Sequence, residues 1–297
     1  MSAPPRVSPA ADPATRAGAL RVEDLTIDAT DGVPLGATRF SGAPDAPHVV
    51  LVAPATGVKR RLYRAFAERL AAGGMDVLTW DWRGTGDSRP RTLRGFDASM
   101  TTWATRDLAG AIRWARGGAP RARLVVVGHS FGGQAIGLAP NATELAALVT
   151  IAAQSGWYGH WPSAARWRYA ALWHVAMPAL TRVLGYFPAR RFGLGEDLPA
   201  GVALEWARWC RSPSYLGDWS GHGRLRQPLL AIGFDDDPYA PPRAVDALYA
   251  AYGSDERTLR HVAPRDVGAD RLGHFGFFQP GRAPALWDEV ATWIARH

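Results

Sequence analysis

An apolar run that ends in a glycine–serine turn constrains the fold of this chain more than any other stretch. Residues 124–127 are Leu-Val-Val-Val, and they lead directly into Gly-His-Ser-Phe-Gly at residues 128–132. Because the run is apolar at every position, it predicts a parallel strand that is buried on both faces, with a helix to follow. A sharp turn between them would place Ser130 at the apex, with its hydroxyl clear of the sheet. Gly128 and Gly132 leave the space that such a close approach of strand and helix requires.

Two other structures could carry the same five residues. One is an ordinary strand-to-helix turn, and the other is a glycine-rich phosphate loop, which also joins a strand to a helix. The stretch lacks the Gly-Lys-Ser/Thr ending of a nucleotide loop and the Gly-x-Gly-x-x-Gly spacing of a dinucleotide site. We therefore interpret Ser130 as a candidate nucleophile, whose partners must come from other parts of the chain.

The composition limits the class of protein. Hydrophobic residues make up 47% of the 297 residues and charged residues 21%, which is typical of a globular chain and not of a disordered one. The net charge is +7, and nearly all of the positive charge is arginine, because Lys59 is the only lysine. The arginines are spread along the chain without a basic helix, so we expect no nucleic-acid partner.

The cysteine count and the lengths of the apolar stretches bear on disulfide bonds, on targeting and on membrane insertion. Cys210 is the only cysteine, which excludes an internal disulfide. Residues 1–19 are rich in Ala and Pro and lack an apolar signal core, so we expect a flexible tail and a cytoplasmic protein. The longest apolar stretches, such as residues 145–153, are too short to cross a bilayer, and no membrane span is expected.

Strands and helices alternate along most of the chain. Apolar or alternating runs predict strands over residues 21–27, 35–40, 48–53, 75–80, 124–127, 145–153, 228–234 and 257–263. Helical spacing is present over residues 61–71, 100–116, 241–252 and 283–295. This alternation predicts an α/β fold with a mainly parallel sheet, helices on both faces and an antiparallel hairpin at one edge.

The stretch from residue 154 to residue 226 breaks this alternation. It contains no convincing strand and is dense in tryptophan. We predict a helical insertion over 154–226 that lies above a core made of residues 20–153 and 227–297. Most of its aromatic side chains should form its own core, and a few should face Ser130.

Four separated motifs resemble those of the α/β-hydrolase superfamily. They are Gly-His-Ser-Phe-Gly at 128–132, Asp-Trp-Arg-Gly-Thr-Gly-Asp-Ser at 81–88, Gly-Phe-Asp-Asp-Asp-Pro-Tyr-Ala-Pro at 233–241 and Gly-His-Phe-Gly-Phe-Phe at 273–278. More narrowly, the chain resembles a group of predicted bacterial serine hydrolases with an Ala-Thr-Gly-Val loop and a Gly-His-x-Gly-Phe-Phe ending. The resemblance covers nearly all of residues 21–297. It implies the α/β-hydrolase fold, a serine–histidine–acid triad and a cap, or lid, in the place of residues 154–226.

The resemblance also implies a role for one residue of three motifs. Ser130 would be the nucleophile and His274 the base, in the chain order that this fold uses. The family's acid usually lies four residues before a proline that opens the next helix, and Asp237 lies four before Pro241. Asp236 is the runner-up, because another family spacing selects it.

Other histidines compete with His274 for the role of base. His129 adjoins Ser130, but the turn should aim its ring away from the nucleophile. His48 and His261 fall in predicted strands, where a core or edge role is expected. His274 is distinguished by its place between two glycines in the loop after the last strand.

Two backbone N–H groups are needed to stabilise the oxyanion of a tetrahedral intermediate. The resemblance implies Phe131 for one of them, and Ala55, or else Thr56, in the loop after the third strand for the other. The chain departs there from the common His-Gly pair, which leaves the second donor open. The motif over 81–88 is expected to be scaffold, with Asp81 and Arg83 paired to each other.

Together these features predict a serine hydrolase that cleaves an ester or thioester through an acyl-enzyme. The tryptophan-rich insertion favours a small-molecule substrate with an apolar or aromatic part. No cofactor and no metal are expected, because three consecutive aspartates at residues 235–237 cannot easily aim at one ion. The alternatives are an acyltransferase with the same triad and a hydrolase-fold binding protein without turnover. The oligomeric state cannot be predicted from these features.

Overall fold

The structure is a computed structural model that describes residues 20–43 and 45–297. The flexible tail expected over residues 1–19 lies outside the described residues. The strands are β1 (Arg21–Asp28), β2 (Pro34–Ser41), β3 (His48–Ala53), β4 (Asp76–Trp80), β5 (Arg123–His129), β6 (Ala147–Ile151), β7 (Tyr186–Phe187), β8 (Leu198–Pro199), β9 (Leu229–Phe234) and β10 (Arg257–Val262).

The main sheet has the spatial order β1-β2-β4-β3-β5-β6-β9-β10. The hairpin of β1 and β2 is antiparallel, and β2 pairs with β4 in the antiparallel sense. The other neighbours in this sheet, in the order β4-β3-β5-β6-β9-β10, pair in parallel. This arrangement confirms the predicted α/β fold with a mainly parallel sheet and an antiparallel edge.

The helices lie between and after the strands. They are α1 (Arg64–Ala72), α2 (Met100–Thr102), α3 (Ala109–Gly118), α4 (Phe131–Ala135), α5 (Ser163–Ala171), α6 (Met177–Leu184), α7 (Ala200–Cys210), α8 (Ser220–Arg224), α9 (Pro242–Ala251) and α10 (Pro284–Arg296). A π-helical turn over Trp103–Leu108 joins α2 to α3, so the helix predicted over 100–116 is present with a wider turn inside it. A second π-helical turn, Leu172–Ala176, joins α5 to α6.

Central strands of the sheet are buried on both faces, as their apolar sequences predict. Every residue of β3 is buried, and so is every residue of β5 after Arg123. Side chains at alternate positions enter different hydrophobic clusters: Val49 and Leu51 pack with α3, whereas Val50 and Val52 pack with α1 and α10. Because successive side chains of a strand point to opposite faces, the two clusters lie on the two sides of the sheet.

The segment from residue 154 to residue 226 lies between β6 and β9 and contains α5 to α8. The expectation that it holds no strand is wrong, because β7 and β8 form a short antiparallel pair. Each is two residues long, which is too short to produce a period in the sequence. In the described part of the chain, no helix combines the length and the apolarity that crossing a membrane requires.

Candidate active site

The turn between β5 and α4 has the sharp geometry that the glycine spacing predicts. Ser130 has φ 51° and ψ −116°, a left-handed backbone conformation that is strained for any residue with a Cβ. A Cβ at Gly132 would collide with the carbonyl oxygen of Ala53, and one at Gly128 would collide with the backbone nitrogen of Gly133. Only glycine fits at these two positions, so the local sequence dictates the turn.

The acid that contacts the candidate base is Asp237. His274 Nδ1 lies 2.7 Å from Asp237 Oδ2, and neither side chain is more than 6% exposed. The other carboxylate oxygen, Oδ1, accepts the backbone N–H groups of Tyr239 (2.8 Å) and Ala240 (3.1 Å). Both oxygens of this buried carboxylate therefore have partners, as a buried charge requires.

Asp236 has a different set of partners. Its two oxygens accept the backbone N–H groups of Leu272 (3.0 Å) and Gly273 (2.9 Å), directly before His274. Asp235 is exposed. The consecutive carboxylates thus point to separate places, and the middle one anchors the loop that carries the histidine.

Ala55, the residue that the sequence favours as the second oxyanion donor, has no free N–H group. The N–H of Ala55 donates to the hydroxyl of Tyr63 at 2.9 Å in a buried site, so it has no hydrogen left for a substrate oxygen. The prediction of Ala55 is therefore wrong for this conformation. Among residues 20–43 and 45–297, no acceptor receives the N–H of Thr56 or of Phe131. Parallel pairing of Ala53 with Gly128 holds the loop that follows β3 beside the serine turn.

His129 makes contacts in this site that were not predicted from the sequence. Its Nδ1 lies 2.9 Å from the Tyr63 hydroxyl, and its Nε2 lies 2.8 Å from the backbone carbonyl oxygen of His274. Burial, and then the charge of His274, hold the pKa of His129 well below its ordinary value. Tyr63 and His274 are 66 and 145 residues away in the chain, so no local sequence signal could have revealed these contacts.

A cavity of about 180 Å³ lies beside Ser130 and His274, and Thr56 also lines it. Most of its wall comes from apolar side chains of the 154–226 segment, including Trp161, Trp173, Trp206, Leu172, Met177 and Cys210. A few of the tryptophans therefore face the serine, as predicted. Burial raises the pKa of the Cys210 thiol well above its ordinary value, so this side chain lines the cavity as a small neutral group.

The predicted pair of Asp81 and Arg83 does not form. Asp81 accepts the backbone N–H groups of Arg60 (2.7 Å) and Asp87 (3.0 Å) and also pairs with the Arg60 guanidinium. Arg83 instead binds the buried carboxylate of Asp107, with Nε 2.7 Å from Oδ1. Both carboxylate oxygens of Asp81 therefore have partners other than Arg83, and Arg83 pairs with a different carboxylate.

Solved structures with a similar fold include esterases. The esterase Pf2001 of Pyrococcus furiosus is 16% identical with a TM-score of 0.61, over 99% of each chain. The esterase EaEST of Exiguobacterium antarcticum is 15% identical with a TM-score of 0.62, over 92% of this chain and 100% of that one. At these identities the similarity establishes the fold alone.

One curated relative is similar over part of its length. The quorum-quenching protein AidA of Acinetobacter baumannii (strain MDR-ZJ06) is 34% identical over 109 residues, which are 35% of this chain and 34% of that protein. The match thus spans about a third of the relative. The sequence profile described as "Alpha/beta hydrolase family" matches residues 13–285, which is nearly the whole chain. With the sheet order and the serine turn described above, this match shows that the chain belongs to the alpha/beta hydrolase family.

Proposed function

We propose that this protein is a serine hydrolase that cleaves esters through an acyl-enzyme, with Ser130, His274 and Asp237 as its triad. The observation that carries the proposal is the 2.7 Å hydrogen bond between His274 Nδ1 and the buried carboxylate of Asp237. This bond holds the hydrogen of a neutral imidazole on Nδ1, so that Nε2 is free to accept a proton. His274 and Ser130 line the same cavity, which supports their acting together.

The reaction would proceed in two halves. Ser130 Oγ attacks the carbonyl carbon while its proton moves to His274 Nε2, and the carbonyl electron pair moves onto the oxygen. The N–H groups of Phe131 and Thr56, which are without protein acceptors in the described chain, would stabilise that oxyanion. Collapse of the intermediate breaks the bond to the leaving group, which takes the proton from His274. Water then repeats the sequence and releases the acid.

The cavity supports a substrate with an apolar or aromatic part. Its wall is built largely from tryptophan and aliphatic side chains of residues 154–226, which we propose to be a cap, or lid, over the site. A thioester would react by the same route. We further propose that the enzyme acts in the cytoplasm, which cell fractionation tests.

The test is hydrolysis of p-nitrophenyl esters from acetate to decanoate, compared between the wild type and Ser130→Ala. Alanine keeps the Cβ and the backbone strain of position 130, so the variant removes little besides the hydroxyl. The proposal predicts turnover by the wild type and a loss of kcat on the order of 10⁶-fold in the variant. A wild type that hydrolyses no ester in the series, or a variant that keeps the wild-type rate, would contradict it.

Partition of product to added alcohols would identify acyl transfer instead of hydrolysis. Because the partly similar relative is named for quorum quenching, quorum-sensing signal molecules belong in the substrate panel.

A further inference from the structure

A buried chain of hydrogen bonds connects two loops of the proposed site to the serine turn. The N–H of Ala55 lies 2.9 Å from the Tyr63 hydroxyl, and that hydroxyl lies 2.9 Å from His129 Nδ1. On the other side of the ring, His129 Nε2 lies 2.8 Å from the backbone carbonyl oxygen of His274. Tyr63 and His129 are both 0% exposed, so water does not compete for these bonds.

The chemistry of the groups permits one direction of donation along this chain. The His274 carbonyl can only accept, so His129 Nε2 must carry a hydrogen. Burial keeps the imidazole neutral, and therefore Nδ1 has no hydrogen and accepts from the Tyr63 hydroxyl. Burial also raises the pKa of Tyr63, which keeps its proton on the oxygen. The remaining lone pairs of that oxygen accept the N–H of Ala55.

The hydrogen-bonded groups adjoin three groups that the reaction needs. Ala55, at one end, directly precedes Thr56, whose N–H has no acceptor among the described residues, and the other end is the backbone carbonyl of His274 itself. His129, between them, directly precedes Ser130. We infer that Tyr63 and His129 are positioning residues that fix the Thr56 N–H and the His274 ring relative to Ser130. This inference rests on the proposed function. By accepting the N–H of Ala55, Tyr63 turns the loop so that the next N–H remains available to an oxyanion.

A packing role alone would also explain why these rings are buried. The Tyr63 ring makes an edge contact with Phe278, with centroids 4.7 Å apart and planes at 79°. The substitution Tyr63→Phe preserves this ring contact and removes only the hydroxyl. It therefore separates the hydrogen-bond chain from the packing.

A matched control is available at Tyr252. This tyrosine is also buried, and its hydroxyl donates to the carbonyl oxygen of Gly133 at 2.6 Å, outside the chain of bonds described above. Tyr252→Phe thus removes one buried hydroxyl without changing any of those bonds. The test compares both variants by thermal unfolding, by kcat and KM for p-nitrophenyl butyrate, and by the rate at which a fluorophosphonate labels Ser130.

Displacing a reacting group by about 1 Å is enough to cost on the order of 100-fold in rate. We therefore expect Tyr63→Phe to lower kcat and the labelling rate by roughly 10- to 100-fold while KM changes less than about twofold. Tyr252→Phe should keep both rates within about threefold of the wild type, with every rate compared at equal folded fraction. Equal effects of the two variants, or a Tyr63→Phe enzyme with more than half of the wild-type kcat, would overturn the inference.

Substitutions at His129 give a second, independent comparison. Glutamine offers an amide oxygen and an amide nitrogen, which replace part of the acceptor and donor pair, whereas leucine offers neither. We expect His129→Gln to retain a higher kcat than His129→Leu at equal folded fraction, and equal rates would count against the inference. If both variants fail to fold, the Tyr63→Phe comparison decides. A wild type that hydrolyses no ester and whose Ser130 is not labelled would contradict the proposed function instead.

Discussion

Replacing Asp237 by asparagine should abolish most of the activity, whereas the same change at the neighbouring Asp236 should not. The structure explains why the side-chain amide introduced by Asp237→Asn would be locked in the wrong orientation. Two backbone N–H groups, from Tyr239 and Ala240, point at Oδ1, so the amide oxygen must stay there. The amide NH₂ would then face His274 Nδ1 in place of the carboxylate oxygen that lies 2.7 Å away.

An NH₂ group can only donate, so the imidazole would have to present a bare Nδ1 and carry its hydrogen on Nε2. In that tautomer Nε2 cannot take the proton of Ser130. Turning the amide over would place NH₂ against two N–H donors in a buried site, which costs about 1–3 kcal/mol for each unsatisfied group. The expected loss in kcat is on the order of 10⁴-fold, or about 5 kcal/mol in the activation free energy.

Asp236→Asn makes the same chemical change in a side chain that does not contact the His274 imidazole. One of its two hydrogen bonds, to the N–H of Leu272 or Gly273, would be lost, and the loop before His274 would be held less firmly. We expect a loss of stability of about 1–3 kcal/mol and a decrease in kcat of roughly tenfold or less. Each variant is assayed as kcat for p-nitrophenyl butyrate at equal folded fraction. If Asp236→Asn is the more damaging change, the assignment of the acid is wrong.

Three further predictions concern the cavity and the stability of the fold. Cys210→Phe should fill part of the cavity and lower kcat/KM for octanoate relative to acetate esters by about 15-fold, the value for two methylenes that no longer fit. An unchanged ratio would show that the acyl chain lies elsewhere. Burial lowers the pKa of His222 to about 4, below its ordinary 6.5, so the unfolded chain binds the proton first as the pH falls. The contribution of His222 to stability should therefore be complete above pH 7 and smaller by about 2 kcal/mol at pH 5, and urea unfolding of His222→Gln should show a flatter pH dependence than that of the wild type. Asp107→Ala should cost about 1–3 kcal/mol in urea unfolding, because it leaves the Nε–H and the backbone N–H of Arg83 without their acceptor while Asp31 still pairs with the guanidinium, and a cost below about 0.5 kcal/mol would contradict that reasoning.

The sheet could be predicted from the sequence because its central strands are apolar at nearly every position. Residues 48–53 and 124–127 are buried on both faces, and burial of this kind leaves a continuous apolar run in the chain. The sharp turn at Ser130 was also predictable, since the glycines around it are a steric requirement of the turn itself. The pair β7 and β8 was not predictable, because two residues carry no period.

Side-chain partners that are distant in the sequence could not be predicted. Which N–H of the loop after β3 stays available depends on the hydroxyl of Tyr63, and the first choice of Ala55 was wrong for that reason. The pairing of Asp81 with Arg83 was wrong because spacing alone does not show which charges fold together. Arg83 finds Asp107, which is 24 residues away, and the structure of the intervening chain decides that contact.

Ser130 is proposed to be a nucleophile that the residues gathered around it activate, and its reactivity can be measured directly. The measurement is mass spectrometry of the intact protein and its peptides after treatment with a fluorophosphonate. We predict one phosphonyl group per chain, on the peptide that contains Ser130, and no label in His274→Ala on the same time scale. An unlabelled wild type, or a label on another residue while Ser130 stays unmodified, would contradict this role of the serine.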